Sequence, residues 1–170
     1  MSSSRSAFLA ASAKYQAEFS SSGLAAPPDR RVAVVTCMDA RIDPYAALGL
    51  KLGEAHVIRN AGGVITDDVI RSLCISQQKM GTNEVAVIHH TRCGMENLDE
   101  AVFISELEAS TGAEPTWPLG SFSDLAQDVR DSVAALVASP FLAYDDAITG
   151  YIYDVDTGGL EEIASTVNKT

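Results

Sequence analysis

The sequence predicts an α/β protein with a mostly parallel central sheet flanked by helices. Three short runs rich in β-branched residues are typical of buried parallel strands, which are apolar on both faces. Segments with helical spacing alternate with these runs, as in parallel sheets covered by helices on both faces. With no internal repeat along its 170 residues, the chain is expected to form one α/β domain over residues 29–170.

Residues 1–28 are predicted to form an N-terminal helical arm and linker. Apolar and aromatic residues, among them Phe8, Tyr15 and Phe19, recur at helical spacing over residues 6–19, which predicts an amphipathic helix. The segment 20–28 is rich in serine and proline and ends this helix. A helix tethered by such a linker is free to lie across a partner subunit.

The first half of the domain contains a predicted βαβ unit. The strand-like runs cover residues 31–36, 56–59 and 84–89. Between the last two, a helix is predicted from Thr66, a suitable N-cap, to residue 80, where Gly81 is a suitable C-terminal stop.

The second half of the domain contains two predicted helices and a last strand. The helices span about residues 97–109 and 123–138, with a loop rich in glycine and proline between them. Residues 147–153 are predicted to be the final strand, followed by a turn at residues 156–159.

Two short motifs follow two of these strands. Cys37-x-Asp39-x-Arg41 comes after the first strand, and His90-x-x-Cys93 after the third. Functional groups in parallel sheets gather at the carboxyl ends of the strands, where the loops diverge. Two cysteines and a histidine are ligands that zinc prefers, and three protein ligands leave a fourth position for a water whose pKa zinc lowers to about 7. The motifs therefore predict a catalytic zinc site.

Asp39 and Arg41 allow two states of such a site. In the open state, Arg41 holds the Asp39 carboxylate ionised in a bidentate pair, and the carboxylate accepts a hydrogen bond from the zinc-bound oxygen. In the closed state, the pair breaks and Asp39 becomes the fourth zinc ligand. The sequence permits both states.

Three segments resemble the β class of carbonic anhydrases: TCMDARID at 36–43, VIRNAGG at 57–63 and VIHHTRCGM at 87–95. The resemblance implies that Cys37, His90 and Cys93 bind Zn²⁺ and that Asp39 and Arg41 form the catalytic dyad. It also implies a β-carbonic-anhydrase-like fold and a homodimer or homotetramer in which the N-terminal helix embraces the neighbouring subunit. The expected activity is that of a lyase, hydration of carbon dioxide to bicarbonate by zinc-bound hydroxide.

The chain departs from the family pattern at two places. Longer members have a glutamine donor before the first strand, where this chain reads Pro27-Pro28-Asp29. The residue before the second cysteine ligand is often acidic or small in the family, whereas here Arg92 raises the local positive potential. The chain most resembles the short mycobacterial-type branch of the family.

That branch also includes carbonyl sulfide hydrolases, so carbonyl sulfide, hydrolysed to hydrogen sulfide and carbon dioxide, is the alternative substrate. Both substrates are small, linear and neutral, and the motifs do not distinguish them. Ala61, Gly62, Gly63 and Val64 are candidate walls of the substrate pocket, because glycine permits close backbone approach and the other two are small and apolar. The simpler interpretation is a glycine turn.

Several residues have other interpretations. Strand alternation turns His89 away from His90, so His89 is expected to be a core or supporting residue, and Cys74 is expected in the core. A paired Cys37 and Cys93 would also suit a redox disulfide, and a permanent Asp39 ligand would make the zinc structural. A nucleotide-binding function is disfavoured because no glycine-rich phosphate loop is present.

Composition excludes some functions. The formal net charge is −11 with only 12 lysines and arginines, which disfavours nucleic-acid partners and anionic membrane surfaces. No stretch approaches the roughly 20 apolar residues of a membrane span, and three cysteines form no disulfide framework. The expected location is the cytoplasm.

Overall fold

The computed structural model describes residues 4–167 as five strands and five α-helices. The strands are β1 (Val32–Cys37), β2 (Ala55–Asn60), β3 (Glu84–His90), β4 (Ile148–Tyr153) and β5 (Leu160–Ser165). The helices are α1 (Ser4–Glu18), α2 (Pro44–Leu48), α3 (Asp67–Met80), α4 (Glu100–Thr111) and α5 (Leu125–Val137). Residues 1–3 of the predicted arm and 168–170 of the predicted domain lie outside the described residues.

The strands form one sheet in the order β2-β1-β3-β4-β5, which confirms the predicted class. The first four strands are parallel and β5 is antiparallel to β4. The prediction that residues 147–153 form the final strand is wrong, because β5 follows the predicted turn. Glu161 and Glu162 give β5 the charged surface of an edge strand, which its sequence pattern does not separate from a solvated loop.

Helix boundaries follow from local capping. Thr66 Oγ1 accepts from the Val69 amide at 3.3 Å, and Gly81, in the left-handed region, donates its amide to Gln77. Both caps of α3 are therefore as predicted. Asp99 and Asp124 cap α4 and α5, which makes these helices begin two or three residues later than expected.

The main core lies between one face of the sheet and two helices. Alternate strand residues pack against α3 and α5 there; they include Ala33, Val35, Val85, Val87 and Ile148. Gly150 lets α5 approach β4 closely, since a Cβ at this position would lie 2.5 Å from Val129 Cγ1. Both helices that pack on the central strands thus lie on the same face.

The opposite face of the sheet differs from the expectation of helices on both sides. It opens into a groove of about 720 Å³ whose lining includes Val34, Ala86, Thr149 and Tyr151. We call this the open-face groove. Within residues 4–167, no long helix is packed across it.

The helix α1 stands apart from the domain. Every described residue from 4 to 20 is exposed, including Phe8 at 71% and Tyr15 at 60%. The ring centroids of Tyr15 and Phe19 are 5.5 Å apart, so they form a small aromatic pair of their own. None of the helices within residues 4–167 has the length and hydropathy needed to cross a bilayer. The cytoplasmic location stays a prediction.

Candidate metal centre

The structure brings together the three residues predicted as zinc ligands. Cys37 ends β1, His90 ends the neighbouring strand β3, and Cys93 lies in the turn that follows. The two Sγ atoms are 4.0 Å apart, and the three possible ligand atoms lie within 4.8 Å of one another. All three residues are buried. Among residues 4–167, this is the one group of histidine, cysteine or acidic residues that meets the geometry of a metal site.

The geometry of the three side chains fits zinc. Two cysteine ligands of a tetrahedral zinc, each about 2.3 Å from the metal, would place their sulfurs about 3.8 Å apart. The observed 4.0 Å is close to this value and far too long for a disulfide bond. His90 Nδ1 donates to the Thr91 carbonyl at 3.0 Å, while Nε2 is buried and without a hydrogen-bond partner. A ring held through Nδ1, with a buried Nε2 that has no hydrogen-bond partner, is what a metal-ligating histidine offers.

The protonation of the three ligands is linked. The Cys93 thiol lowers the pKa of Cys37, which is lowered further by His90 and by the backbone amides of Asp39 and Gly62. Burial disfavours the charged form of His90, but the interactions with Cys37, the Thr91 carbonyl and Asp39 together outweigh it and raise the pKa of His90. Cys37 is therefore the thiol that loses its proton more readily, and a metal ion would displace the protons of its ligands on binding.

Asp39 and Arg41 form the pair predicted for the open state. Arg41 Nε donates to Asp39 Oδ1 at 2.9 Å and Nη2 to Oδ2 at 2.7 Å, and the Arg41 amide also donates to Oδ1. These bonds hold the pKa of Asp39 well below its usual range. Asp39 Oδ2 is 3.8 Å from His90 Nε2, so the carboxylate faces the ligand cluster without belonging to it.

Arg59 supports the backbone around Cys37, a role that was not predicted from the sequence. It lies on β2, and its Nε donates to the Cys37 carbonyl at 2.9 Å while Nη2 donates to the Asp39 carbonyl at 2.7 Å. The side chain thus fixes the backbone of the segment that carries Cys37 and Asp39. Its sequence signals are its place at the end of the predicted strand 56–59 and within the family-like segment 57–63.

The segment predicted as a pocket wall supports Cys37 directly. Gly62 and Gly63 have φ values of 81° and 73°, and a Cβ on Gly63 would lie 2.9 Å from the Cys37 amide nitrogen. Glycine is required there by close approach. Ala61 begins the same 3-10 turn and Val64 follows it. A role of these four residues in binding substrate stays a prediction.

The surroundings of the cysteines are apolar. Ile42 is buried with Cys37 and Cys93, and Met95, Phe122 and Tyr153 pack against the cluster. Such surroundings strengthen electrostatic interactions at the site and suit a neutral substrate.

The remaining singled-out residues lie outside the ligand cluster. His89 is fully buried as expected, and its Nδ1 is 2.8 Å from Asp128 Oδ2 of α5. Cys74 differs from the expectation of a core residue, because it is half-buried on α3 and lines a surface pocket with Ile70 and Phe141.

Comparison with known proteins gives consistent matches. Residues 32–117 match the family model described as carbonic anhydrase. The chain is 48% identical over 137 residues to β-carbonic anhydrase 1 of Mycobacterium tuberculosis, covering 81% of this chain and 84% of that protein. It is 35% identical over 161 residues to a carbon disulfide hydrolase of Saccharolobus solfataricus, covering 80% and 78%. The crystal structure of a carbonic anhydrase from Streptococcus mutans superposes with a TM-score of 0.90 at 42% identity, covering 96% and 99%.

The ligand geometry predicts that Cys93→Ser abolishes zinc binding. Serine is a poor zinc ligand, so the loss of affinity should exceed the roughly 10–100-fold that removing an outer-shell partner causes. Zinc affinity is measured by competition with a chromophoric chelator. Cys74→Ser is the matched control, because Cys74 lies on α3 outside the cluster, and it should bind one zinc per chain like the wild type. Equal zinc binding by both variants would contradict the ligand assignment.

Proposed function

The chain belongs to the β class of the carbonic anhydrase family, and from this membership we propose that it is a zinc enzyme that hydrates carbon dioxide to bicarbonate. The observation that carries the proposal is the buried Cys37, His90 and Cys93 cluster with an ion-paired Asp39 beside it. A structural zinc site has four protein ligands, whereas this cluster offers three and a carboxylate held by Arg41. That arrangement supports a catalytic rather than a structural site.

Cys37, His90 and Cys93 hold the zinc in this proposal. Zinc, when bound, supplies a Lewis acid that makes water nucleophilic at neutral pH. The Thr91 carbonyl fixes the His90 ring so that Nε2 faces the other ligands. Arg59 and Gly63 fix the Cys37 backbone, so the ligand set is preorganised by contacts on both sides.

Asp39 orients the attacking water. Its low pKa keeps the carboxylate ionised, and an ionised carboxylate only accepts hydrogen bonds. It therefore takes a hydrogen bond from the water and directs an oxygen lone pair toward the substrate carbon. Arg41 engages both carboxylate oxygens, which leaves Asp39 little freedom to rotate.

The substrate pocket is proposed to lie beside Ala61–Gly63 and Val64. Gly62 and Gly63 bring backbone close to Cys37, and the side chains packed on the cysteines are mostly apolar. A small neutral molecule loses little solvation on entering such a site. Carbon dioxide and carbonyl sulfide both meet this condition.

Carbon dioxide is the favoured substrate and carbonyl sulfide the alternative. The mycobacterial relative at 48% identity is named a carbonic anhydrase, while the relative named a carbon disulfide hydrolase is 35% identical. The second relative shows that sulfur-containing substrates occur among proteins of comparable sequence, so the choice has to be measured.

The test of the function is turnover of carbon dioxide, carbonyl sulfide and carbon disulfide on one zinc-loaded preparation at a single pH. We expect kcat/KM for carbon dioxide to exceed the other two by at least about tenfold, a difference of roughly 1.4 kcal/mol in activation free energy. Stopped-flow pH-indicator kinetics measures the first reaction and sulfide release the others. Faster sulfide release than carbon dioxide hydration would instead identify a sulfur-compound hydrolase.

Asp39→Asn should keep zinc and lose rate. An amide cannot act as an ionised acceptor, so the water loses its orientation, and kcat/KM should fall by about 10–100-fold, the usual effect of an outer-shell partner. Zinc content and kcat/KM are measured on the same preparation. Asp68→Asn, at an exposed carboxylate on α3, is the matched control and should keep full rate. An unchanged rate in Asp39→Asn would remove Asp39 from the mechanism.

We also propose a homodimer or homotetramer in which α1 of one subunit lies in the open-face groove of another. The helix has exposed apolar side chains, and the groove is lined partly by apolar sheet residues, with no long helix of the described chain packed across it. At 15 residues α1 is about 22 Å long, enough to cross four strands spaced at about 4.8 Å. Covering both surfaces at once stabilises the pair by the hydrophobic effect.

The assembly is tested by light scattering coupled to size exclusion. Wild-type protein should have at least twice the monomer mass, and Phe8→Asp/Tyr15→Asp should shift it toward monomer because charged side chains oppose burial of α1. Phe141→Asp is the matched control, since Phe141 is exposed to a similar degree, 65%, but lies outside α1. If the doubly substituted protein kept the oligomer mass of the wild type, the docking of α1 would be contradicted.

A further inference from the structure

Arg41 has a contact beyond the motif in which it lies. Its Nη2 donates to the backbone carbonyl of Arg92 at 3.0 Å as well as to Asp39 Oδ2 at 2.7 Å. The Arg92 guanidinium is in turn paired with the carboxylate of Asp156, in the turn between β4 and β5. The pair therefore connects a distant turn to the residue that holds Asp39.

We propose that Arg92 and Asp156 are positioning residues whose ion pair anchors Arg41 and thereby keeps the Asp39 carboxylate away from the metal position. The inference rests on the proposed function only in taking the Cys-His-Cys cluster as the metal ligands. It assigns a role to Arg92, one of the two places at which this chain departs from the family pattern.

The backbone of Arg92 needs such an anchor. Its φ of 54° lies in the left-handed region that residues with a side chain avoid, and this conformation sets the direction of its carbonyl. The preceding residue is fixed to the same turn, because the Thr91 amide donates to the Tyr153 carbonyl at 3.0 Å and Thr91 Oγ1 accepts from the Val155 amide at 3.2 Å. The side-chain pair with Asp156 is the third link between these segments.

The turn that presents Asp156 is itself ordered by hydrogen bonds. Asp154 Oδ1 accepts from the Asp156 amide at 2.8 Å, and the Asp154 carbonyl accepts from the Gly158 amide at 2.8 Å. The Asp154 amide donates to the Gly159 carbonyl at 2.8 Å, which closes the turn. Asp156 is thus held at a fixed position relative to β4.

Asp39 is close enough to the ligand cluster for its anchorage to matter. A histidine nitrogen and a carboxylate oxygen bound to one tetrahedral zinc would be about 3.3 Å apart. Asp39 Oδ2 is 3.8 Å from His90 Nε2, about half an ångström more than that separation. Within residues 4–167, the hydrogen bonds to the Asp39 carboxylate all come from Arg41, so weakening the hold on Arg41 favours the closed site.

The expected size of the effect is modest. Arg92 and Asp156 are 60% and 61% exposed, and exposed ion pairs change equilibria by about two- to fivefold. A change of that size shifts the balance between open and closed sites without abolishing either.

The test uses the cobalt(II)-substituted protein and azide as a probe of the open fourth position. Azide affinity is read from the visible absorption of the cobalt, with no turnover involved. Asp156→Asn should weaken azide binding about two- to fivefold, because Asp39 occupies the position in more of the molecules. If Asp156→Asn acted only by removing a negative charge near the site, it would strengthen azide binding instead. The direction of the change in azide affinity therefore separates loss of the anchor from loss of the charge. Asp68→Asn, which breaks an exposed ion pair on α3, is the control and should leave the affinity unchanged.

The same substitution in an Asp39→Asn background shows whether the effect passes through Asp39. A neutral amide does not compete for the metal as a carboxylate does, so Asp156→Asn should no longer weaken azide binding there. If Asp156→Asn weakened azide binding equally in both backgrounds, the proposal would be overturned. Unchanged or stronger azide binding in the protein that retains Asp39 would overturn it as well.

A second readout needs no metal. The Arg41 Nε–H proton is held by Asp39 Oδ1, and its solvent exchange, followed by nuclear magnetic resonance in the metal-free protein, should be about two- to fivefold faster in Asp156→Asn. Unchanged exchange would overturn the proposed anchorage of Arg41. Neither readout uses carbon dioxide, so a protein that failed to hydrate carbon dioxide would disprove the proposed function and leave this test standing.

Discussion

The parallel pairing of β1 with β3 is the constraint on which the metal centre depends. The register aligns Thr36 with Ile88, and both strands run in the same direction, so both end at one edge of the sheet. Cys37 and His90 meet there, and the chain needs only three more residues to return with Cys93. A shift of one residue would turn His90 away from this edge and replace it with His89. The burial of β1 and β3 therefore fixes the ligand geometry as firmly as it fixes the core.

Each negative group at this edge has its own fixed donor. The Asp39 and Gly62 amides support the Cys37 sulfur, and Arg41 engages both oxygens of Asp39. These donors are in place before a substrate arrives, and donors that need not reorganise are worth most in apolar surroundings. In the proposed mechanism, the Arg41 donors also keep the ionised Asp39 from becoming a metal ligand itself. This geometry thus keeps the Asp39 carboxylate both ionised and outside the ligand cluster.

Features set by residues close together in the chain could be predicted from the sequence, whereas side-chain contacts between distant segments could not. The α3 caps, Thr66 and Gly81, and the gathering of Cys37, His90 and Cys93 could be predicted because each rests on short-range spacing or on strand ends. Arg59 could not, because its contacts to the β1 backbone depend on the alignment of β1 with β2. The link between Arg92 and Asp156 spans 64 residues and is visible only in three dimensions. The strand β5 was not predicted for another reason: its glutamates suit an edge strand and a loop equally well.

The open-face groove connects assembly to the site. Because side chains alternate along a strand, Ala86 and His90 project from the same face of β3, and Ala86 lines the groove. Tyr151 lines it as well, and Tyr153, two residues further along β4, packs against the cysteine cluster. A subunit that covers the groove therefore covers the face of the sheet from which His90 reaches the metal position. At the ligand end of this face, Ile88 and His90 are already buried within one subunit, so covering the groove extends the buried region toward the start of the strands. In the proposed dimer, α1 of the partner subunit would cover the part of this face that one subunit leaves open, so that the assembly and the candidate site use the two ends of one sheet face.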